Sequence, residues 1–318
     1  MASGGGNRAI IAALAANIGI AVTKFVAFLL TSSSSMLAES VHSFADSGNQ
    51  ALLLVGGKRS RKPSNEAHPF GYGRERYLYA FIVAIVLFSV GGLFALYEAW
   101  HKFAEPHAIE SWQWVPVAVL VAALAMEGFS LRTAIQESNH TRGAQSWVSF
   151  IRTAKAPELP VVLLEDAGAL VGLVLALIGV SMTLGTGDGR WDAAGTAGIG
   201  LLLVTIACIL AVETRSLLLG ESATAANVQR IERALVGDGV VSVIHLRTVH
   251  LGPEELLVAA KIEIDALATA GEIARAIDAA EVRVRAAVPI AAVIYLEPDL
   301  RRSVSASAAG TGDGRLGG

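Results

Sequence analysis

Six apolar stretches of membrane length constrain this chain more than any other feature. A helix needs about 20 apolar residues to cross the hydrocarbon core of a bilayer, and hydrophobic residues make up 53% of the chain. The windows run roughly from Ala9 to Leu30, Ser34 to Gly56, Tyr77 to Trp100, Trp112 to Leu131, Leu159 to Leu184 and Ala193 to Leu217. The sequence therefore predicts an all-α bundle of six transmembrane helices.

Charged residues in the loops predict the orientation. Twelve Lys and Arg residues fall on one side of the predicted membrane and two, Lys102 and Arg190, on the other. The positive-inside rule then places both termini in the cytoplasm. We expect no secretory or mitochondrial presequence and favour a bacterial plasma membrane. The net charge of −3 gives no reason to expect a nucleic-acid partner.

Two ionisable residues lie four apart within the second predicted span. His42 and Asp46 share one helical face, with Cβ atoms about 5–6 Å apart. Charged groups at bilayer depth cost roughly 2.5–3.5 kcal/mol and tend to be retained where they act on an ion or a proton. Neutral imidazole and carboxylate suit Zn²⁺, so the pair predicts a metal site. The other interpretation is a hydrogen-bonded pair that locks two helices together.

The chain changes character after the sixth apolar stretch. The pattern predicts a helix over Thr224–Val236, strands over Val240–Val249 and Leu256–Ile264, a helix over Thr269–Ala287 and a strand over Ala291–Leu296. This αββαβ order favours a small α+β ferredoxin-like cytoplasmic domain. We thus divide the chain into a transmembrane domain, residues 1–220, a dimerisation domain, residues 221–300, and a disordered tail, residues 301–318.

Together, these features and two short motifs resemble the cation diffusion facilitator family over about residues 8–298. The motifs are His68-Pro69-Phe70-Gly71-Tyr72-Gly73-Arg74 after the second span and the closing Tyr295-Leu296-Glu297-Pro298. Within the family, the long loop after span four and the run from Val161 to Asp166 resemble the zinc transporter nine-like branch. The resemblance implies that a homodimer in the lipid bilayer moves Zn²⁺, or a similar divalent ion, out of the cytoplasm in exchange for protons.

The family takes two metal ligands from span two and two from span five. Alignment on Asp166 and Gly172 matches Asp166 to the family aspartate but puts Val162 where a histidine is expected. The resemblance thus implies His42, Asp46 and Asp166 as ligands, with Glu165 or water as candidates for the fourth position. Loss of the histidine admits Mn²⁺, Fe²⁺ or Co²⁺ as the substrate. We expect Asn49, one turn beyond Asp46, to hydrogen-bond to a metal ligand and so fix its orientation.

Other family sites match this chain only in part. A loop metal site would use Glu66 and His68, but Tyr72 replaces its second histidine, so a solvated basic loop is the alternative. Regulatory zinc ligands expected in the tail domain are replaced at Tyr295 and Ala291, so we expect a dimerisation module without a zinc cluster.

Several polar residues have more than one interpretation. Lys24 can make an interhelical hydrogen bond or snorkel to the interface, and Glu39 is either a solvated end residue or a gate. The loop over Gln136–Pro160 is either an interfacial amphipathic helix or an extension of span four.

Three functional classes remain open. The first is a secondary active exporter of a divalent metal. The second is a membrane metalloenzyme, which we do not expect because the sequence has no His-Glu-x-x-His motif. The third is a non-transporting regulatory member of the same fold, which the missing span-five histidine makes credible.

Overall fold

The computed structural model describes residues 3–301, with side chains from Asn17 onward. The chain forms two compact units. One contains the chain up to Glu221 together with His250–Glu254, and the other contains Ser222–Val249 and the chain from Glu255. The predicted tail over residues 301–318 lies outside the described residues except for Arg301.

The first unit is helical. Its elements are α1 (Ser3–Thr31), α2 (Ser34–Ser60), α3 (Glu75–Val86), a π-helical segment (Leu87–Leu93), α4 (Phe94–Ala104), α5 (Trp114–Arg142), α6 (Trp147–Thr153), α7 (Glu158–Thr186) and α8 (Arg190–Leu219). Their apolar core includes Leu87, Leu120, Leu173, Leu203 and Leu210, which are buried between the helices.

Four helical segments in the described part of the chain are long and apolar enough to cross a membrane. They are Glu75–Ala104, Trp114–Arg142, Glu158–Thr186 and Arg190–Leu219, so a multi-pass membrane protein is supported. The part of α1 with described side chains, Asn17–Thr31, is apolar but shorter. Helix α2 falls outside this group because serines and ionisable side chains interrupt its apolar pattern. The count of six spans therefore stays a prediction.

The third predicted span contains a π-helical segment that the hydrophobic pattern does not indicate. This segment includes Gly91 and Gly92. A Cβ atom on Gly92 would lie only 2.7 Å from Cγ2 of Val204 on α8. The missing side chain therefore permits the close approach of two membrane helices, as small residues commonly do.

The segment predicted either to extend span four or to form a separate interfacial helix does both in part. Helix α5 extends to Arg142, and a separate helix, α6, follows over Trp147–Thr153. The guanidinium of Arg142 lies over the ring of Trp147, 4.2 Å from its centroid, and Phe150 is buried. An interfacial position for α6 stays a prediction.

The second unit contains the predicted helices and strands in the predicted order. They are α9 (Ala225–Leu235), β1 (Val240–Gly252), β2 (Glu255–Ile264), α10 (Ala270–Ala287) and β3 (Ala291–Asp299), although the end of β1 from His250 onward is grouped with the first unit. The sheet order is β1-β2-β3, and β2 pairs parallel with β3. Parallel neighbours need a crossover, which α10 provides. Its start is fixed by a capping box between Thr269 and Glu272, and Ile231, Leu256 and Val284 lie in the core.

Candidate metal site

His42 and Asp46 lie on one face of α2, as their spacing predicts. The Nδ1 atom of His42 is 3.4 Å from Oδ1 of Asp46, and His42 is 1% exposed. Both ring nitrogens of His42 and the Oδ1 atom of Asp46 lack a hydrogen-bond partner among the described residues. Buried polar atoms are nearly always satisfied. This group of orphaned atoms is therefore suited to a ligand that brings its own positive charge.

A small cavity next to this pair is formed by four helices. Its lining residues are Asn17 and Ile20 from α1, Ser43, Asp46 and Gln50 from α2, Glu127 and Ser130 from α5, and Asp166 from α7. Carboxylates, hydroxyls and amides dominate this list. The cavity therefore presents mostly oxygen ligands, and His42 lies beside one of its lining residues, Asp46.

The two adjacent acidic residues of α7 have different neighbours. Asp166 lines the cavity and accepts a hydrogen bond from Oγ of Ser130 at 2.8 Å. Glu165 is buried and accepts a hydrogen bond from Nδ2 of Asn49 at 2.7 Å. Adjacent side chains on a helix point about 100° apart, which explains why only Asp166 lines the cavity while Glu165 contacts Asn49. Asn49 thus contacts the less certain ligand rather than Asp46.

These residues do not form a preassembled metal cluster. Within the part of the chain that the structure describes, there is no group of three or more His, Cys, Asp or Glu side chains arranged to hold a metal. Asp46 and Asp166 share a cavity, while Glu165 does not line it. The site residues therefore stay a prediction, and binding would need side-chain rotation or helix movement.

The start of α2 is fixed by a buried carboxylate from α8. Asp192 accepts hydrogen bonds from Ser33 Oγ at 3.0 Å, from the backbone N of Ser34 at 2.7 Å and from the backbone N of Ser35 at 3.3 Å. The side chain of Ser33 also caps α2 by accepting from the backbone N of Met36. These contacts set the position of the helix that carries His42 and Asp46.

Lys24 and Glu39 correct two of the interpretations made from the sequence. Lys24 does not snorkel, since it is 1% exposed, and Glu39 is not a solvated end residue, since it is fully buried. The Nζ atom of Lys24 is 3.0 Å from Oε2 of Glu39 and 2.8 Å from Oγ of Ser43. A buried ion pair thus links α1 to α2 one turn before His42, and Lys24 also contacts the residue directly after His42. The interhelical interpretation of Lys24 agrees with this contact.

Glu127 was not singled out from the sequence, yet it lines the cavity with Asp46 and Asp166. A signal was present, because Glu127 is the only acidic residue between Glu110 and Glu137. The family pattern drew attention to spans two and five and away from this residue of α5.

The candidate residues of the loop and of the tail domain make local contacts with their neighbours in the sequence. Glu66 and His68 are exposed, and the ring of His68 lies against Tyr72 with centroids 4.4 Å apart. In the tail, the Nε2 atom of His245 accepts a hydrogen bond from Arg247, and Nδ1 of His250 contacts the carbonyl of Gly252.

Comparison with known proteins assigns the family. The cation efflux transmembrane domain matches residues 10–219, which include all the residues that line the cavity. The chain belongs to the cation efflux family. The resemblance to cation diffusion facilitators is thereby confirmed, and it extends to zinc transporter nine-like proteins.

Three relatives indicate the range of similarity. The mitochondrial proton-coupled zinc antiporter of Xenopus laevis is 32% identical over 245 residues, which is 76% of this chain and 44% of the relative. The antiporter of the same name from Homo sapiens is 31% identical over 245 residues, covering 76% of this chain and 43% of the relative. Metal tolerance protein C4 of Arabidopsis thaliana is 28% identical over 265 residues, which is 81% of this chain and 57% of the relative. The chain thus spans about half the length of these relatives.

Proposed function

We propose that this protein exports a divalent metal cation, most favourably Zn²⁺, from the cytoplasm in exchange for protons. The observation that carries the proposal is the buried His42, whose unpartnered nitrogens lie beside Asp46 and next to the cavity that Asp166 lines. We assign His42, Asp46 and Asp166 as ligands to the transported ion. Glu165 is a further candidate that would need to exchange its bond with Asn49.

The coupling to protons follows from the chemistry of these groups. Imidazole and carboxylate must lose their protons before they bind a metal ion. A site that loads metal on one side of the membrane therefore releases protons there. Reprotonation on the other side favours release of the metal. Competition for one set of atoms is sufficient to link the two opposite fluxes.

Two of the relatives are named proton-coupled zinc antiporters, which supports zinc and proton exchange, and the cation efflux family supports export. Val162 in place of a family histidine removes one nitrogen donor. Nitrogen ligands favour zinc over manganese, so export of Mn²⁺, Fe²⁺ or Co²⁺ is the alternative within the same mechanism. The family consists of transporters, which is consistent with a protein that is not an enzyme.

The same proposal covers the architecture. Six membrane spans over residues 1–220 would end in a ferredoxin-like domain over residues 221–300, through which two chains form a homodimer. The excess of Lys and Arg in alternate loops supports cytoplasmic termini. The Ala-, Gly- and Val-rich composition favours a bacterial plasma membrane.

Metal uptake into inverted vesicles tests the assignment. His42→Ala and Asp46→Ala should each abolish zinc uptake while the protein remains inserted in the membrane. His68→Ala, at the exposed loop, is the matched histidine control and should retain the wild-type rate. Wild-type uptake by either α2 variant would refute the site. A wild-type protein that moves no metal would instead favour the non-transporting regulatory member.

A further inference from the structure

Glu127 is the acidic residue of the cavity to which the family pattern assigns nothing. It lies near the middle of α5, is partly buried and lines the cavity together with Asp46 and Asp166. No hydrogen-bond or ion-pair partner of Glu127 is found among the described residues, whereas Asp166 is held by Ser130. A carboxylate at bilayer depth without a partner is costly, and such residues generally mark an ion or proton pathway.

The charges around the cavity favour a cation. Glu127, Asp46 and Asp166 line the same cavity, so the three carboxylates repel one another when they are ionised. The ammonium of Lys24, on α1, donates a hydrogen bond to Ser43, which also lines the cavity. Because Lys24 is already paired with Glu39, its charge does not balance the three carboxylates. A divalent cation in the cavity would relieve this repulsion.

We propose that Glu127 is a third carboxylate ligand, supplied by α5, that takes the place of the histidine missing at Val162. The proposal rests on the proposed function, since it concerns the same transported ion. A glutamate side chain has three rotatable bonds and can reach into the cavity from α5 while Asp46 and Asp166 approach from α2 and α7. The ion would then be held from three helices rather than two.

This ligand set predicts a change in metal preference. Carboxylates, hydroxyls and two side-chain amides line the cavity, and the imidazole of His42 lies beside one of these carboxylates, that of Asp46. Oxygen ligands suit Mn²⁺, whereas additional imidazole suits Zn²⁺. Glu127 therefore shifts selectivity toward the harder ion, relative to a site that has histidine at position 162.

Uptake of Mn²⁺ and Zn²⁺ by proteoliposomes containing the full chain tests this assignment. Glu127→Gln keeps the shape of the side chain and removes its charge. We expect it to lower kcat/KM for Mn²⁺ at least tenfold and the value for Zn²⁺ by a smaller factor. Glu137→Gln is the matched control, because Glu137 is an exposed glutamate on the same helix, and it should change neither value.

A second variant separates a ligand from a structural role. Val162→His added to Glu127→Gln should restore uptake of Zn²⁺ but not of Mn²⁺, because the new imidazole supplies a nitrogen ligand. Wild-type Mn²⁺ and Zn²⁺ uptake in Glu127→Gln would overturn the proposal. An equal loss for both metals without recovery in the double variant would overturn it too.

Direct binding distinguishes a failure of this proposal from a failure of the transport function. Mn²⁺ bound to the detergent-purified protein can be measured by electron paramagnetic resonance without any flux. Reduced binding in Glu127→Gln, with normal binding in Glu137→Gln, would support the ligand even in a protein that transports nothing. Unchanged binding in Glu127→Gln would refute the ligand even in a protein that transports zinc.

Discussion

The buried pair of Lys24 and Glu39 gives the most quantitative prediction. Its atoms are 3.0 Å apart, and the two side chains are 1% and 0% exposed. At an effective dielectric constant of about 20, Coulomb's law gives an attraction of about 5–6 kcal/mol at this distance. Removal of one partner leaves the other charge buried and uncompensated, which costs about 3–5 kcal/mol in known proteins. Lys24→Met should therefore lower the free energy of unfolding by about 3–5 kcal/mol.

A double-mutant cycle isolates the pair. Glu39→Gln leaves the ammonium of Lys24 with its hydrogen bond from Nζ to Ser43 Oγ, so its cost should be smaller than that of Lys24→Met. In Lys24→Met with Glu39→Gln no charge remains buried, and the double variant should be more stable than the sum of the single effects by about 2–3 kcal/mol.

Unfolding of the purified protein by sodium dodecyl sulfate in mixed micelles measures these free energies. Asn17→Ala, which removes another contact between α1 and α2, a hydrogen bond of 3.2 Å to Gln50, is a suitable neutral control and should cost about 1 kcal/mol. Additive effects of the two charge variants, within about 0.5 kcal/mol, would refute the reasoning that the pair is a single electrostatic unit.

Three further predictions concern the packing and the ends of helices. Asp192→Asn removes a charged hydrogen-bond acceptor from the start of α2. Hydrogen exchange of the amides from Ser34 to Leu37 should therefore accelerate, in line with a loss of about 1–3 kcal/mol in stability. Unchanged exchange would contradict the capping role of Asp192. Gly172→Ala places a Cβ 2.9 Å from Oε1 of Glu39 and should lower the free energy of unfolding by about 1–3 kcal/mol, whereas Gly185→Ala on the same helix meets nothing within 4 Å and should be neutral. Thr269→Ala should speed hydrogen exchange in the first turn of α10, because it removes a hydrogen bond to the carboxylate of Glu272, and hydrogen bonds from the backbone and side chain of Thr269 lower the pKa of Glu272. The stabilisation from these hydrogen bonds is present above the unfolded pKa of about 4.3 and is lost as pH falls through the folded pKa. Equal exchange in both proteins at pH 7 would contradict this role of Thr269.

Local patterns in the sequence were sufficient for the second unit. The three strands and the two helices follow from alternation and helical periodicity, both of which are read within a few residues, whereas the capping box of α10 was found in the structure. The placement of His42 and Asp46 on one face follows equally from their spacing of four. Such features need no knowledge of which helix packs against which.

Features that depend on the pairing of helices were not accessible in this way. The burial of Lys24 depends on Glu39, and neither residue indicates the other from its position in the sequence. Asn49 follows Asp46 by one turn but contacts Glu165 because α7 packs beside α2. Glu127 was missed for the same reason, since only the arrangement of α1, α2, α5 and α7 brings it to the cavity.

The most direct test of the proposed exchange is a measurement of protons during zinc movement. Proteoliposomes that contain the purified protein and an internal pH indicator are exposed to an external zinc gradient. If His42, Asp46 and Asp166 bind metal and protons in competition, zinc entry should drive protons out and raise the internal pH, and Asp46→Asn should abolish both movements together. Zinc entry without a change in internal pH, or wild-type fluxes in Asp46→Asn, would contradict the account.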